Sequence, residues 1–97
     1  MTITESKSII DFLINSVEFM NKAIKNQDSM LEDESRGAFY AYRKVLMLAN
    51  FDIHVTYNND NSIDCIRVVK DMYYKDILFD TSKQCPFPKL PTLYKTL

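Results

Sequence analysis

His54, Cys65 and Cys85 are the side chains of this chain best suited to nucleophilic or metal chemistry, and each stands apart from the others in sequence. A triad needs a base against its nucleophile and a third group to orient the base. No motif surrounds His54, the one histidine, and strand alternation turns it away from Phe51, Ile53, Val55 and Tyr57, toward solvent. Two cysteines and one histidine so separated lack the close ligand pairs of a zinc site. Asp60, Ser62, Asp64 and Asp71 occupy the first, third, fifth and twelfth places of a calcium-loop frame. The sixth place, however, is Cys65 where the loop needs Gly, and the twelfth is Asp where it needs the longer Glu. A chain whose single glycine is Gly37 cannot build a Gly-rich phosphate cradle. Asp52 and Asp76 could converge across a sheet, but nothing in the sequence brings them together. These residues point away from an enzyme, with no cofactor and no metal expected.

Recognition chemistry is better represented. In the stretch Ser29–Asn50, read as a helix, Leu31, Ala38, Tyr42, Val45 and Ala49 align at about 100° per residue, with Phe39 and Leu46 on one flank and Ala41 and Leu48 on the other. The opposite face carries Arg36, Arg43 and Lys44, and also Tyr40 and Met47, which stand nearly above one another. Tyr, Met and Arg are enriched at interface cores, so Arg36, Tyr40, Arg43, Lys44 and Met47 are the candidate partner-binding residues. The competing expectation is that the C-terminal half of the chain covers them. Gly37, in mid-helix at a cost of about 1 kcal/mol relative to Ala, suggests close approach by another backbone, most simply one of the same chain.

The elements that position these residues follow from periodicity and punctuation. Ser29 and Glu32 have the spacing of a capping box, acids crowd the first turn, and Asn50 suits a left-handed stop. Residues 2–26 form an earlier helix, opened by Thr2 and Glu5, with Ile9, Leu13, Ser16, Met20 and Ile24 central to its apolar face and Phe12, Phe19 and Ala23 widening it. That stripe is expected in the core. The short link Asn26-Gln27-Asp28 makes the two helices antiparallel neighbours. Their apolar faces are wide enough to cover each other and still meet the second half of the chain, a twin chain, or both.

Phe51–Tyr57 alternates as a half-buried strand, and Asn58–Asn61 is a turn by composition. Ser62–Lys70 reads two ways. As a strand it closes a hairpin but places Arg67 on the side of Ile63, Cys65 and Val69; as a helix it aligns Cys65, Val69 and Met72. The β-rich composition favours the strand, with Tyr73–Phe79 a third, ending at Asp80-Thr81-Ser82. Residues 81–97 form an extended arm, since Pro86, Pro88 and Pro91 exclude helix and central strand. Pro88-Lys89-Leu90-Pro91 matches the PxxP pattern of groove ligands. The favoured expectation is an arm packing Phe87, Leu90, Leu93 and Tyr94 on its own domain, with a reach to a neighbouring subunit as a further alternative. The fold class expected is α+β: a two-helix hairpin on a small antiparallel β-hairpin or meander with an extended Pro-containing arm. The alternative is mostly α, with residues 62–74 as a third helix.

The chain's 97 residues make a single domain, and a formal net charge of −1 gives no global attraction to nucleic acid or anionic membrane. The charge is uneven: residues 51–80 carry six Asp, while Lys83, Lys89 and Lys95 in the arm face no acid there. A basic face containing Tyr40 argues for nucleic acid, but the missing basic excess argues more strongly against it. There is no leader-like start and no apolar run of membrane-spanning length, so a cytoplasmic protein with reduced thiols is expected. Pairing of Cys65 with Cys85 depends on geometry that the sequence does not supply.

The bias toward Ile, Lys, Asn, Asp, Tyr and Phe, with one Gly and no Trp, is typical of AT-rich coding. Together with the small size and the acid-rich helix start LEDESRGAFYAYRKVL, it resembles in style the small accessory proteins of phages and mobile elements in low-GC bacteria. That resemblance implies a cytoplasmic protein of a bacterial host cell that inhibits or redirects a host protein by steric occlusion. A homodimeric scaffold is the first alternative and a small nucleic-acid-binding regulator the second.

Overall fold

Two helices open the chain, and each is bounded by local chemistry. The computed structural model describes residues 1–97 apart from the side chain of Ile3. Helix α1 runs Ile3–Lys25 behind a capping box in which the Thr2 hydroxyl accepts from the Glu5 N–H. In return the Thr2 hydroxyl and then its backbone N–H donate to the Glu5 carboxylate, which holds that carboxyl below its ordinary range. Helix α2 runs Ser29–Leu48, and its N-cap is Asp28, not Ser29, with the Asp28 carboxylate accepting from the Leu31 N–H. The expected cap is thus displaced by one residue.

Both helices end in a Schellman motif, which satisfies carbonyls of the last turn. Gln27 takes φ 57°, and the Gln27 and Asp28 N–H groups donate to Ile24 and Ala23. Asn50 takes φ 68°, and the Asn50 and Phe51 N–H groups donate to Met47 and Leu46. Asp28 therefore closes α1 through its backbone and opens α2 through its side chain. This is why so short a link suffices for an antiparallel hairpin.

The second half is a four-stranded sheet of order β1-β2-β3-β4: β1 Asp52–Tyr57, β2 Ile63–Lys70, β3 Tyr73–Leu78 and β4 Lys95–Thr96. The first three form an antiparallel meander, and β4 adds in parallel beside Tyr73 and Tyr74. The two-helix hairpin packed on a meander is the expected α+β fold. The alternative third helix over residues 62–74 is overturned, because Ile63–Lys70 pairs along its length with both neighbours. Its register places Ile66 and Val68 beside Val55 and Ile53, against the helices, while Cys65 and Arg67 face the other way. All four are buried. A strand covered on both sides loses alternation, which is the source of the sequence ambiguity.

The second cover is the C-terminal arm. It leaves β3, crosses the outer sheet face and returns to form β4. Phe87 lies against His54, with ring centroids 6.2 Å apart, and Tyr94 meets Tyr74 edge-on at 6.4 Å. Leu90 is half-buried, whereas Leu93 stays 72 % exposed. The arm thus packs on its own domain, with Leu93 the exception. The core itself lies between helices and sheet, built from Ile10, Leu13, Val17 and Met20 of α1, Phe39 and Leu46 of α2, and Ile53, Ile63, Ile66 and Val68 below. Asn21 ties the layers: its side-chain amide donates to the Ile63 carbonyl and accepts from the Ile63 N–H, both at 2.9 Å.

Two faces differ from expectation. On α2 the buried line is Ser35, Phe39 and Leu46, while Val45 and Leu48 are exposed. The helix is turned so that its predicted flank became its centre. On α1, Phe12 and Phe19 are 52 % and 57 % exposed and stand outside the core. In both cases the sheet covers only one side of the hairpin.

Candidate functional site

The candidate binding residues fall on the flank of α2 that leans over the open edge of the sheet. Tyr40 and Met47 are 49 % and 54 % exposed, two turns apart on a rigid helix, and no later segment of the chain covers them. Lys44, between them in sequence, is exposed. Arg36 and Arg43 behave differently. Arg36 forms an i,i+4 ion pair with Glu32 at 3.1 Å. Burial works against its charge, but contacts with Glu32 and Tyr40 outweigh that, and the guanidinium stays above its ordinary range. Arg43 turns toward the domain and donates to the Ile53 carbonyl at 3.3 Å, while its buried Nε–H has no partner.

Since β1 is an edge strand, the Arg43 contact shields part of a row of free backbone groups that would otherwise template pairing. Of the five residues, the structure therefore brings Tyr40, Lys44 and Met47 together as exposed side chains on one flank of α2. Arg36 and Arg43 act as supports, one bracing Tyr40 and the other fixing α2 to β1.

On the outer side of the hairpin a groove of about 420 Å³ opens between the helices, lined by Phe12, Phe19, Leu31, Ala38 and Tyr42 with Glu34 at its rim. Phe12 stacks on Tyr42 at 5.7 Å and 21° between planes. The aromatic spacing in α1 was visible in the sequence; what it lacked was any sign of which side the sheet would take.

Beneath the arm lies a polar cluster that sequence reasoning had noted only as a difficulty. Arg67 is 6 % exposed and makes a two-point ion pair with Asp76 of β3, at 2.7 and 2.9 Å. Its remaining nitrogen donates to the Pro88 carbonyl at 2.6 Å, and Phe87 lies over the guanidinium at 5.2 Å. Arg67 is thereby paired on all sides, as a buried charge must be, and it clasps the arm. The Pro88–Pro91 segment is part of this docked arm.

Both cysteines are free, Cys65 buried and Cys85 half-exposed in the arm beside Asp76, its Sγ 3.6 Å from Oδ2. Burial first, then neighbouring Cys85, Asp76 and Asp64, push the Cys65 thiol up to about 12. Only the thiolate reacts. Alkylation of the native protein should reach the half-exposed Cys85 first and modify buried Cys65 at least about a hundredfold more slowly. Mass mapping after brief iodoacetamide treatment checks this, and equal labelling would mean that the arm is not docked.

The other chemical candidates do not assemble. Asp60 is an Asx turn accepting from the Ser62 N–H and hydroxyl, whereas Asp71 lies beyond the far end of β2 with φ 53°. The calcium frame is thus split across a strand. Asp76 is committed to Arg67, and Asp52, opposite Val69, sits away from it. Among the described residues no three His, Cys, Asp or Glu gather as metal ligands, and no helix is long and apolar enough to cross a membrane.

The structure is a small α+β domain with Tyr40, Lys44 and Met47 exposed along its second helix. In comparisons with known proteins, no family model, no curated protein and no solved structure matches this chain.

Proposed function

We propose that this protein is a non-enzymatic binding module that occludes a surface of another protein. In this reading it acts in the cytoplasm of a bacterial host cell, as a phage- or mobile-element-type accessory protein, and inhibits or redirects a host protein. The observation that supports it is the pairing of Tyr40 and Met47, both about half exposed on a rigid helix and left uncovered by the chain. An aromatic and a flexible thioether at interface spacing can enter a pocket with little loss of conformational freedom in the helix that presents them. Lys44 orients the approach, while Arg36 and Arg43 hold the surface in shape. Steric occlusion asks for a rigid complementary face and no reacting group.

The test is affinity capture from bacterial lysate with wild type beside a Tyr40→Ala/Met47→Glu variant, after circular dichroism shows both folded. One stoichiometric host protein held by wild type is expected. Its affinity for the purified variant should fall by about thirtyfold or more, the loss typical of a truncated hot spot. A partner retained equally by the variant would move the site elsewhere.

A further inference from the structure

We infer that the outer face of the α1–α2 hairpin is a dimer interface that takes a second copy of this chain, with α1 of one protomer lying over α2 of the other. The first observation is Gly37. It sits on the exposed outer side of α2, and a Cβ built there would meet nothing within 4 Å. The sequence had suggested an internal backbone approaching this glycine; the structure has none. A helix-interior Gly without an internal role leaves a shallow trough, continued one turn on by exposed Ala41.

The second observation is that the matching projections stand on the other helix of the same face. Phe12 and Phe19 project from α1, more than half exposed. Phe12 stacks on Tyr42, and Phe19 lines the groove with Glu34 and Ala38, which sets their heights along the hairpin. A two-fold axis parallel to the helices preserves those heights and lays α1 on the partner's α2. Phe12 then meets the partner's Ala41, and Phe19 meets the partner's Gly37. The relation is reciprocal, as a two-fold interface requires. Every helix in the resulting layer is antiparallel to its neighbours.

Charge carries the choice of a second copy over an unrelated protein. Lys22 is exposed on α1 and Glu34 on α2. Neither has an ion pair within the chain among the described residues. At preserved heights Lys22 faces the partner's Glu34, and the two-fold repeats this opposite-sign pairing. The area is also sufficient. Helices of 23 and 20 residues side by side present a face of roughly 30 by 20 Å. Including side-chain relief, this approaches the roughly 800 Å² per partner of a stable interface. The stripe of Tyr40 and Met47 lies about a quarter-turn away round α2, so this inference does not rest on the proposed function, and a dimer would present two such stripes.

The experiment is sedimentation velocity from about 1 to 200 µM on wild type, Phe19→Glu, Gly37→Leu and the charge variants Lys22→Glu and Lys22→Glu/Glu34→Lys. Wild type should be a dimer with Phe19→Glu and Gly37→Leu monomeric, their dissociation constants raised at least a hundredfold. Gly37→Leu is the informative variant, because a Cβ at this position meets nothing within 4 Å in the monomer and helix propensity improves; circular dichroism should show it no less stable. Lys22→Glu should weaken association and the double variant restore it, while Met47→Glu leaves it unchanged. A wild type that stays monomeric to 200 µM overturns the inference. So does a dimer that survives both Phe19→Glu and Gly37→Leu, or a monomer that instead binds a different protein through Phe19.

Discussion

Arg67→Ala should lower the unfolding free energy by about 3–5 kcal/mol, the cost of removing one partner from a buried ion pair. For a domain of this size that is a large share of a total of about 5–15 kcal/mol, and the melting temperature should fall by roughly 12 °C or more. Three losses coincide. The Asp76 carboxylate, 23 % exposed, is left without its two-point partner. The Pro88 carbonyl loses its donor, and Phe87 loses the flat surface on which it rests. The arm should then come away from the sheet, which gives a second readout: the Cys65 thiol, protected in wild type, becomes open to alkylation. The pair's own contribution can be separated from the cost of orphaning Asp76. Arg67→Met/Asp76→Leu, which removes both charges and keeps volume, should recover most of the loss. Denaturant unfolding of the single and double variants measures this. A loss below about 1 kcal/mol for Arg67→Ala would place the pair among solvated surface contacts.

Phe39→Ala should cost a similar amount, about 3–5 kcal/mol, and the comparison with the other aromatics of the hairpin is what makes it informative. Phe39 is 1 % exposed and central to the core between α2 and the sheet. Truncating it leaves a cavity that rigid neighbours cannot refill. Phe19, of the same type and also on a helix, is 57 % exposed. At concentrations where the chain is monomeric, Phe19→Ala should cost less than about 1 kcal/mol, since most of its ring never left water. Thermal or urea unfolding at low protein concentration tests both. A large cost for Phe19→Ala under those conditions would mean that the groove closes over it within one chain.

Much of the architecture was legible locally. The capping residues Thr2 and Glu5, the left-handed Asn50 and the short link Asn26–Asp28 locate both helices and their antiparallel turn, because each signal acts through its own backbone neighbours. Alternation in Phe51–Tyr57 and the Asn-rich turn did the same for β1. The proline-bearing arm was recognisable as extended for a similar reason: a proline restricts its own backbone wherever it lies.

What the sequence left open concerns partners distant in the chain. Ser62–Lys70 looked ambiguous because β2 is covered from both sides, by helices contributed from residues before 50 and by an arm contributed from residues after 80. Arg67 looked misplaced for a strand until Asp76 and Pro88 were brought to it. The candidate site divides in the same way. Helical spacing placed Tyr40, Lys44 and Met47 opposite the predicted buried line, but that the C-terminal half leaves them uncovered rested on how the sheet docked. That Arg43 turns inward to the β1 edge depended on how the sheet docked.

The docking decision also explains Phe12 and Phe19. Periodicity told that both helices carry apolar arcs wider than one neighbour can cover. It could not tell which part of each arc the sheet would take, since every orientation that buries a comparable area is nearly equal in hydrophobic free energy. Local chemistry along the chain determined the elements of this protein and their ends. Only tertiary packing, through the Asn21 bridge, the Arg67 clasp and the fit of Phe39 and Leu46 against the sheet, decided which faces are core and which remain available to bind.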